Sequence, residues 1–291
     1  MNIKKVSKWS AIALASVALV ACGEKNNEKE GGATNDTQDI HVISREDGSG
    51  TRSAFVEIVG IVDENKEDAT TQSATIQNGT SAVIQSVAGD KTAIGYISLG
   101  SLNDSVKALK VNGVEATPER VKAGDYEIAR NFNLMYGKDL SEAAKDFWNF
   151  IFSAEGQTIV EEKGFIAAES EAPAYTPAKV SGTISIVGST SVEPVIQAIS
   201  EAYQKHNPDV TFEITAPGSG AGVTAAIDGT ADIGMASRDL KSDEISKVKE
   251  AKSMAIDGIA VIVNKDNKTD DLSLENIKSI YLGDLLTWGE L

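Results

Sequence analysis

The sequence predicts an α/β fold, because three segments share one pattern of a short β-type run, a loop of small polar residues and an apolar helical period. The loops of these segments are residues 44–51, 188–191 and 217–222. A hydrophobic fraction of 41% with 24% charged residues is typical of a soluble globular protein. At 291 residues the chain is long enough for two domains of ordinary size, and we expect two.

The first 21 residues have the layout of an export signal. Lys4, Lys5 and Lys8 precede an apolar run over residues 11–21, which is too short to span a bilayer as a permanent helix. The run ends directly before Cys22, the only cysteine in the chain. This junction resembles a bacterial lipobox, which implies cleavage before Cys22, lipidation of that residue and anchoring to the extracytoplasmic face of the cell membrane.

Residues 22–38 are predicted to form a flexible tether, because they are rich in Gly, Asn, Glu and Thr and show no apolar periodicity. The formal net charge of the chain is −16, which disfavours nucleic acid and anionic lipid as partners. Net charge does not exclude a small anion as ligand, since long-range charge is screened within about 10 Å at moderate salt. Local hydrogen-bond donors decide whether an anion binds.

The first of the three segments predicts a strand over residues 40–43 and a helix after the loop. The apolar helical positions are Ala54, Phe55, Ile58, Val59 and Val62. The loop supplies Arg45, Asp47, Ser49, Gly50 and Thr51. Arg45 can form two hydrogen bonds with an oxyanion, and Asp47 is placed to hold its guanidinium. An ordinary surface salt bridge is the competing interpretation of this pair.

The second and third segments repeat the pattern. The second predicts a strand over residues 183–187 and a helix whose first turn contains Pro194, and the third predicts a strand over residues 210–215 and a helix from Val223. The first amides of a helix lack partners and carry partial positive charge, while Ser and Thr hydroxyls add donors. Several such loops together would bind a tetrahedral oxyanion. The alternative is that each loop only caps its helix.

Four segments resemble the signature sequences of the PstS family, the phosphate-binding components of bacterial phosphate ABC transporters. They are SREDGSGTR at residues 44–52, GSTS at 188–191, GSGAG at 218–222 and ADIGMASR at 231–238. In the common family order the GSTS-like segment comes first, whereas here the SREDGSGT-like segment opens the fold. The resemblance therefore implies a circularly permuted chain, in an order that a streptococcal-type subset of the family also shows.

The resemblance implies a two-lobed α/β fold of the periplasmic-binding-protein type (type II), with a central sheet in each lobe, that closes on its ligand like a clamp. The expected split lobe contains residues 39–125 and 264–291, and the expected continuous lobe contains residues 126–263. The hinges are expected near residues 124–130 and 261–265. The partners implied are inorganic phosphate and the permease and ATPase of an ABC importer.

The resemblance also implies which residues bind phosphate. They are Thr190, Ser191, Ser219 and Ser237 from one lobe, and Arg45, Ser49, Gly50 and Thr51 from the other. Ser237 stands where some relatives have an aspartate that accepts the proton of the phosphate ion, so selectivity against sulfate or molybdate rests on the resemblance. Arg238, the next residue, could contact the ligand or be an ordinary surface charge, and the sequence favours a direct contact less.

The sequence shows no catalytic machinery. His41 and His206 lie apart from any cysteine or carboxylate cluster with ligand spacing, so we expect no metal site. No nucleophile elbow is present, and we expect no catalytic residue and no cofactor. Two further alternatives stay open, an exported phosphoryl hydrolase and a phosphate sensor or surface protein without a transport role.

Overall fold

A computed structural model describes residues 38–291, and the predicted export signal, most of the tether and Cys22 lie outside the described residues. The strands are β1 (His41–Arg45), β2 (Thr75–Gln77), β3 (Ala93–Ser98), β4 (Val106–Ala108), β5 (Lys110–Val111), β6 (Ala129–Tyr136), β7 (Ile166–Ala167), β8 (Gly182–Gly188), β9 (Val210–Thr215), β10 (Ile233–Ala236), β11 (Glu250–Asn264) and β12 (Asp271–Leu272). The helices are α1 (Gly50–Val59), α2 (Thr80–Gly89), α3 (Pro118–Ala123), α4 (Glu142–Ile151), α5 (Ala154–Glu162), α6 (Glu193–His206), α7 (Ser219–Ile227), α8 (Ser242–Ile245) and α9 (Leu274–Leu282). Within residues 38–291 no helix combines the length and the apolar character needed to cross a bilayer.

The three predicted strand-loop-helix units are β1–α1, β8–α6 and β9–α7. Ser49 caps α1, since its hydroxyl accepts a hydrogen bond from the amide of Arg52 at 3.3 Å. Pro194 lies in the first turn of α6, where its missing amide hydrogen costs nothing. Val62 does not belong to α1, because Gly60 ends the helix in the left-handed conformation, with φ of 79°.

One hydrogen-bonded sheet path runs through the molecule in the order β2-β1-β3-β11-β6-β10-β8-β9. Its two outer parts are parallel: β1 pairs with β2 and β3, and β8 pairs with β9 and β10. The long strand β11 joins these parts, because residues 259–263 pair antiparallel with β3 and residues 250–258 pair antiparallel with β6. The two expected central sheets are therefore hydrogen-bonded to each other through β11.

Two main hydrophobic cores lie along this sheet. The first contains buried residues from 42–128 and 259–288 together with Ile166, and the second contains buried residues from 132–255. The chain thus passes between the cores near residues 128–132 and 255–259. The division into lobes 39–125 plus 264–291 and 126–263 stays a prediction, and the packing of residues 259–263 in the first core favours an earlier second boundary.

The two ends of the described fold lie side by side. The amide of Ile40 donates to the carbonyl of Leu286 at 2.7 Å, and the amide of Trp288 donates to the carbonyl of Gln38 at 3.0 Å. The Trp288 side chain is only 4% exposed, so this end of the chain is packed into the first core. Adjacent ends are what a circular permutation requires, since the same contacts then form from either chain order.

Candidate functional site

The loops that follow the parallel strands β1, β8 and β9 contact one another. The amide of Gly220, in the first turn of α7, donates to the carbonyl of Gly48 at 3.0 Å, and the amide of Gly218 donates to the carbonyl of Gly188 at 2.9 Å. Gly48 belongs to the loop before α1, and Gly188 ends β8. In α/β sheets, ligands bind outside the carboxyl ends of parallel strands, and this is where the three loops meet.

Hydroxyl groups from both cores form a cluster at this point. Thr51 and Ser191 share a hydrogen bond of 2.9 Å between their side-chain oxygens. The hydroxyls of Ser219 and Ser237 lie 3.3 Å apart, and the Ser219 hydroxyl accepts from the Ser237 amide at 3.0 Å. None of these four residues is more than 1% exposed. We call Thr51, Thr190, Ser191, Ser219 and Ser237 the hydroxyl cluster.

Arg45 is the buried cation of the cluster. The residue is 2% exposed, and its Nη2 donates to Thr190 Oγ1 at 3.1 Å, which links the end of β1 to the loop after β8. Its Nη1 is buried and has no hydrogen-bond partner among the described residues. A buried charged donor without an acceptor is costly. An anionic oxygen supplied by a ligand would satisfy it.

Glu46, and not Asp47, holds the Arg45 guanidinium. Nε and Nη2 of Arg45 each donate to a Glu46 carboxylate oxygen at 2.7 Å, and the Gly79 amide donates to Glu46 Oε2 at 3.1 Å. Burial alone would raise the pKa of the Glu46 carboxyl, but the hydrogen bonds and charge of Arg45 with the Gly79 amide hold this pKa below 4.5. The prediction for Asp47 was wrong, because its fully exposed side chain points to Arg52 Nη1 at 3.2 Å.

Ser49 and Gly50 bring the amino end of α1 against α7. The Ser49 hydroxyl caps α1, and the residue is 1% exposed. A Cβ at Gly50 would lie 2.3 Å from Ser219 Oγ and 2.7 Å from Ser237 Oγ, so only glycine permits this close approach. That both residues contact a ligand stays a prediction.

The sequence analysis missed a fourth helix that begins at the cluster. Thr80, the first residue of α2, has its hydroxyl 3.3 Å from that of Thr190 and 3.5 Å from that of Ser191. A cavity of about 430 Å³ adjoins this contact and is lined partly by Thr80 and Thr190. The signal was present, because residues 78–81 read NGTS directly before a helical apolar period, as in the three recognised loops.

Other titratable groups are engaged in contacts of their own. Both guanidinium Nη atoms of Arg238 bind the Glu244 carboxylate at 2.7 and 2.8 Å, and the Arg238 side chain is 13% exposed. Arg238 is therefore a half-buried ion-pair partner of Glu244. His41 bonds to Asp90 at 2.6 Å. Residues 38–291 contain no group of three His, Cys, Asp or Glu side chains that could hold a metal ion.

Comparisons with known proteins define first the class and then the family. A family model described as a PBP superfamily domain matches residues 1–155 and 173–290, so the chain is a PBP superfamily protein. Within that class, the chain belongs to the PstS family. It is 45% identical to phosphate-binding protein PstS 2 of Streptococcus pneumoniae serotype 4, over 100% of both chains. It is 47% identical to PstS 2 of Streptococcus agalactiae serotype V, over 99% of this chain and 98% of the relative.

A solved structure supports the same assignment. The crystal structure of a phosphate ABC transporter phosphate-binding protein from Streptococcus pneumoniae TIGR4 is similar to this chain, with a TM-score of 0.71 and 46% sequence identity. The match covers 87% of this chain and 99% of that chain. The α/β fold expected from the sequence and the resemblance to the PstS family are therefore confirmed.

Proposed function

We propose that this chain captures inorganic phosphate at the hydroxyl cluster and delivers it to an ABC importer. The observation that carries the proposal is the buried Arg45 Nη1, which has no acceptor among the described residues although Arg45 Nη2 donates to the Thr190 hydroxyl of the cluster. An oxyanion supplies the acceptor that this guanidinium needs. The phosphate-binding relatives support inorganic phosphate as that oxyanion.

The cluster suits an anion that carries its own proton. Phosphate holds one or two protons at neutral pH, whereas sulfate holds none. A hydroxyl can accept one hydrogen bond while it donates another, so Ser219 and Ser237 can serve a protonated phosphate oxygen. The carboxylate of Glu46 is occupied by Arg45 and the Gly79 amide, which leaves the hydroxyls as the acceptors in this proposal.

The wider setting is also a proposal. Lipidation of Cys22 anchors the protein on the extracytoplasmic face of the cell membrane, and residues 22–38 tether the fold to that anchor. The two lobes close over phosphate, and the loaded protein then docks on the permease of the importer, which an ATPase drives. The chain performs no chemistry on its ligand and binds no nucleic acid.

Replacing Cys22 with alanine should release the protein from the membrane fraction, as fractionation followed by immunodetection measures.

Calorimetry of the purified full-length protein, stripped of bound ligand, tests the phosphate assignment. We expect one phosphate per chain and at least about tenfold weaker binding of sulfate and molybdate, since unmatched polar groups in a desolvated site cost more than 1 kcal/mol. Equal competition by sulfate would make the protein a general oxyanion receptor. Turnover of a phosphomonoester would instead identify a hydrolase.

A further inference from the structure

A buried ion pair lies where β6 and β11 run side by side. Arg130 on β6 and Asp257 on β11 are direct partners across the two strands. Nη2 and Nε of Arg130 lie 3.0 and 3.2 Å from Asp257 Oδ2, and neither side chain is more than 2% exposed. Sequence patterns did not indicate this pair, because its members are 127 residues apart and only the register of the sheet brings them together.

The two ends of the ion pair reach different cores. Arg130 Nη1 donates to the carbonyl oxygen of Ser237 at 2.9 Å, in the turn that directly follows β10. Asp257 Oδ1 accepts from the Ser98 hydroxyl at 3.0 Å. Strand β10 packs on the second core, while Ser98 ends β3 of the first core. The pair therefore connects the Ser237 turn of the second core to the end of β3 in the first core.

Stability alone does not account for the pair. Burial raises the pKa of the Asp257 carboxyl, although Arg130 and Ser98 oppose the shift, and burial lowers the pKa of Arg130. Both shifts indicate a large desolvation cost. Buried ion pairs can often be replaced by apolar residues of similar size without loss of stability. Holding the Ser237 turn in place requires these charged groups, whereas filling the core does not.

We propose that Arg130 and Asp257 are positioning residues for anion capture. Arg130 holds the Ser237 carbonyl, and thereby aims the Ser237 amide and hydroxyl at Ser219 and the ligand. Asp257 orients the guanidinium and links it to Ser98 at the end of β3. The hydroxyl cluster then has its binding geometry only when the two cores are correctly placed relative to each other. The affinity for the ligand therefore depends on the arrangement of the two lobes. This inference rests on the proposed phosphate function.

Three variants of the full-length protein test the proposal. Arg130→Met/Asp257→Leu removes both charges and should fold, since no buried charge is left unpaired. Arg130→Lys keeps the charge facing Asp257, but an ammonium lacks the planar fork that reaches Ser237 at the same time. The matched control is Arg238→Met/Glu244→Leu, which removes the neighbouring ion pair.

We expect both Arg130 variants to fold and to unfold at a midpoint close to that of the unmodified protein. Their affinity for phosphate should fall by about tenfold or more, because they lack the outer partner that orients a binding group. Stopped-flow measurements should show that the loss is mainly faster phosphate dissociation. The control should bind phosphate within about twofold of the unmodified protein, because the Arg238 guanidinium donates to Glu244 and the Asp239 carbonyl and to no residue of the hydroxyl cluster. Unchanged affinity in a folded Arg130→Lys protein would overturn the proposal. Failure of the unmodified protein to bind phosphate would instead overturn the proposed function.

If no Arg130 variant folds, hydrogen exchange of the unmodified protein tests the positioning role of Arg130 and Asp257. Phosphate should slow exchange at the Ser237 amide and also at the Gly100 amide, two residues after Ser98, whose hydroxyl donates to Asp257. Protection at Ser237 alone, with unchanged exchange at Gly100, would contradict a coupling through the ion pair.

Discussion

Arg45 combines three features that rarely occur together: burial, a carboxylate partner and a guanidinium nitrogen without an acceptor among residues 38–291. Glu46 engages Nε and Nη2, which fixes the plane of the guanidinium and leaves Nη1 for the proposed ligand. A bidentate Arg–carboxylate pair gives geometric precision as well as energy. The affinity of the site for an anion should therefore depend on Arg45 more than on any other single side chain of the cluster.

Arg45→Ala should weaken phosphate binding about thirtyfold or more, because removing one member of a buried charged contact costs about 2–5 kcal/mol. Arg238→Ala is the matched control, since each substitution leaves one glutamate without its arginine. Calorimetry with phosphate measures both, and we expect less than about a threefold change for the control. Equal, small losses in the two variants would mean that the site lies elsewhere.

Glu46→Gln should reveal the pH range over which the ion pair stabilises the fold. The pKa of Glu46 is lowered in the folded protein, so its contribution to stability is present above the ordinary pKa of 4.5 and is lost as pH falls through the lowered value. The difference in free energy of unfolding between the unmodified protein and this variant should be constant from pH 7 to about 5.5, and should shrink below 4.5.

Denaturant unfolding at several pH values measures this difference. Asp47→Asn serves as the control, and it should change stability little at any pH because its ion pair with Arg52 involves a fully exposed carboxylate. A larger loss of stability from Asp47→Asn than from Glu46→Gln would contradict the assignment of the pair.

The sequence could predict most hydroxyl residues of the site but not the partner of the arginine. Thr190, Ser191 and Ser219 lie at helix starts, where local pattern and position are closely linked. The choice between Glu46 and Asp47 depends on which way each side chain points after the last residue of β1, and a turn does not keep the alternation of a strand. The Gly79 amide that also binds Glu46 comes from 33 residues away.

Helices that begin at one point are the structural basis of the site. The amino ends of α1, α2 and α6 carry or adjoin residues whose hydroxyls contact one another, and Ser219 at the amino end of α7 contacts Ser237. Each end contributes amides without helical partners and a partial positive charge. Their approach is limited by side-chain volume, which explains glycine at the first position of α1.

Gly50→Ala should reduce phosphate affinity by about tenfold or more, because the new methyl group would lie 2.3 Å from Ser219 Oγ and 2.9 Å from Ser219 Cβ and would push α1 and α7 apart. Gly89→Ala is the matched control at the end of α2, where no atom lies within 4 Å of the added group. The control should bind phosphate normally and gain about 0.4–1 kcal/mol of stability. Normal binding by Gly50→Ala, measured by calorimetry, would show that this approach is not needed.

Elements with strong local periodicity were predictable, while the connection between the cores was not. The units β1–α1, β8–α6 and β9–α7 follow the predicted spans within a few residues. Strand β11 continues for 15 residues through the position where a hinge was expected, near residues 261–265. The apolar sequence of β11 is compatible with any buried strand. Only its pairing with β3 and β6 shows that it contributes to both cores.

At the scale of the whole molecule, the order of the segments does not determine the fold. The two ends of the described fold, at residues 38–40 and 286–288, are hydrogen-bonded to each other, so a protein that lacks residues 1–37 can be closed there by a short linker. New ends can be opened within residues 176–181, which form no helix or strand before β8. The resulting protein would have the common family order, with the GSTS segment first.

This rearranged protein should fold and bind phosphate within about threefold of the unmodified affinity, because every contact of the cluster is kept. Circular dichroism and calorimetry measure the two properties. A matched rearrangement that opens the chain inside β11, which pairs with both β3 and β6, should fail to fold. If opening the chain within residues 176–181 also abolished folding, the equivalence of the two chain orders would be wrong.

A crystal structure of the phosphate-loaded protein tests the central claim most directly. We expect tetrahedral density bounded by Thr190, Ser219 and Thr51, with one phosphate oxygen about 2.7–2.9 Å from Arg45 Nη1, the usual length of a charge-assisted hydrogen bond. Phosphate bound at another place, with Arg45 Nη1 still lacking an acceptor, would contradict the claim that this buried guanidinium recognises the ligand.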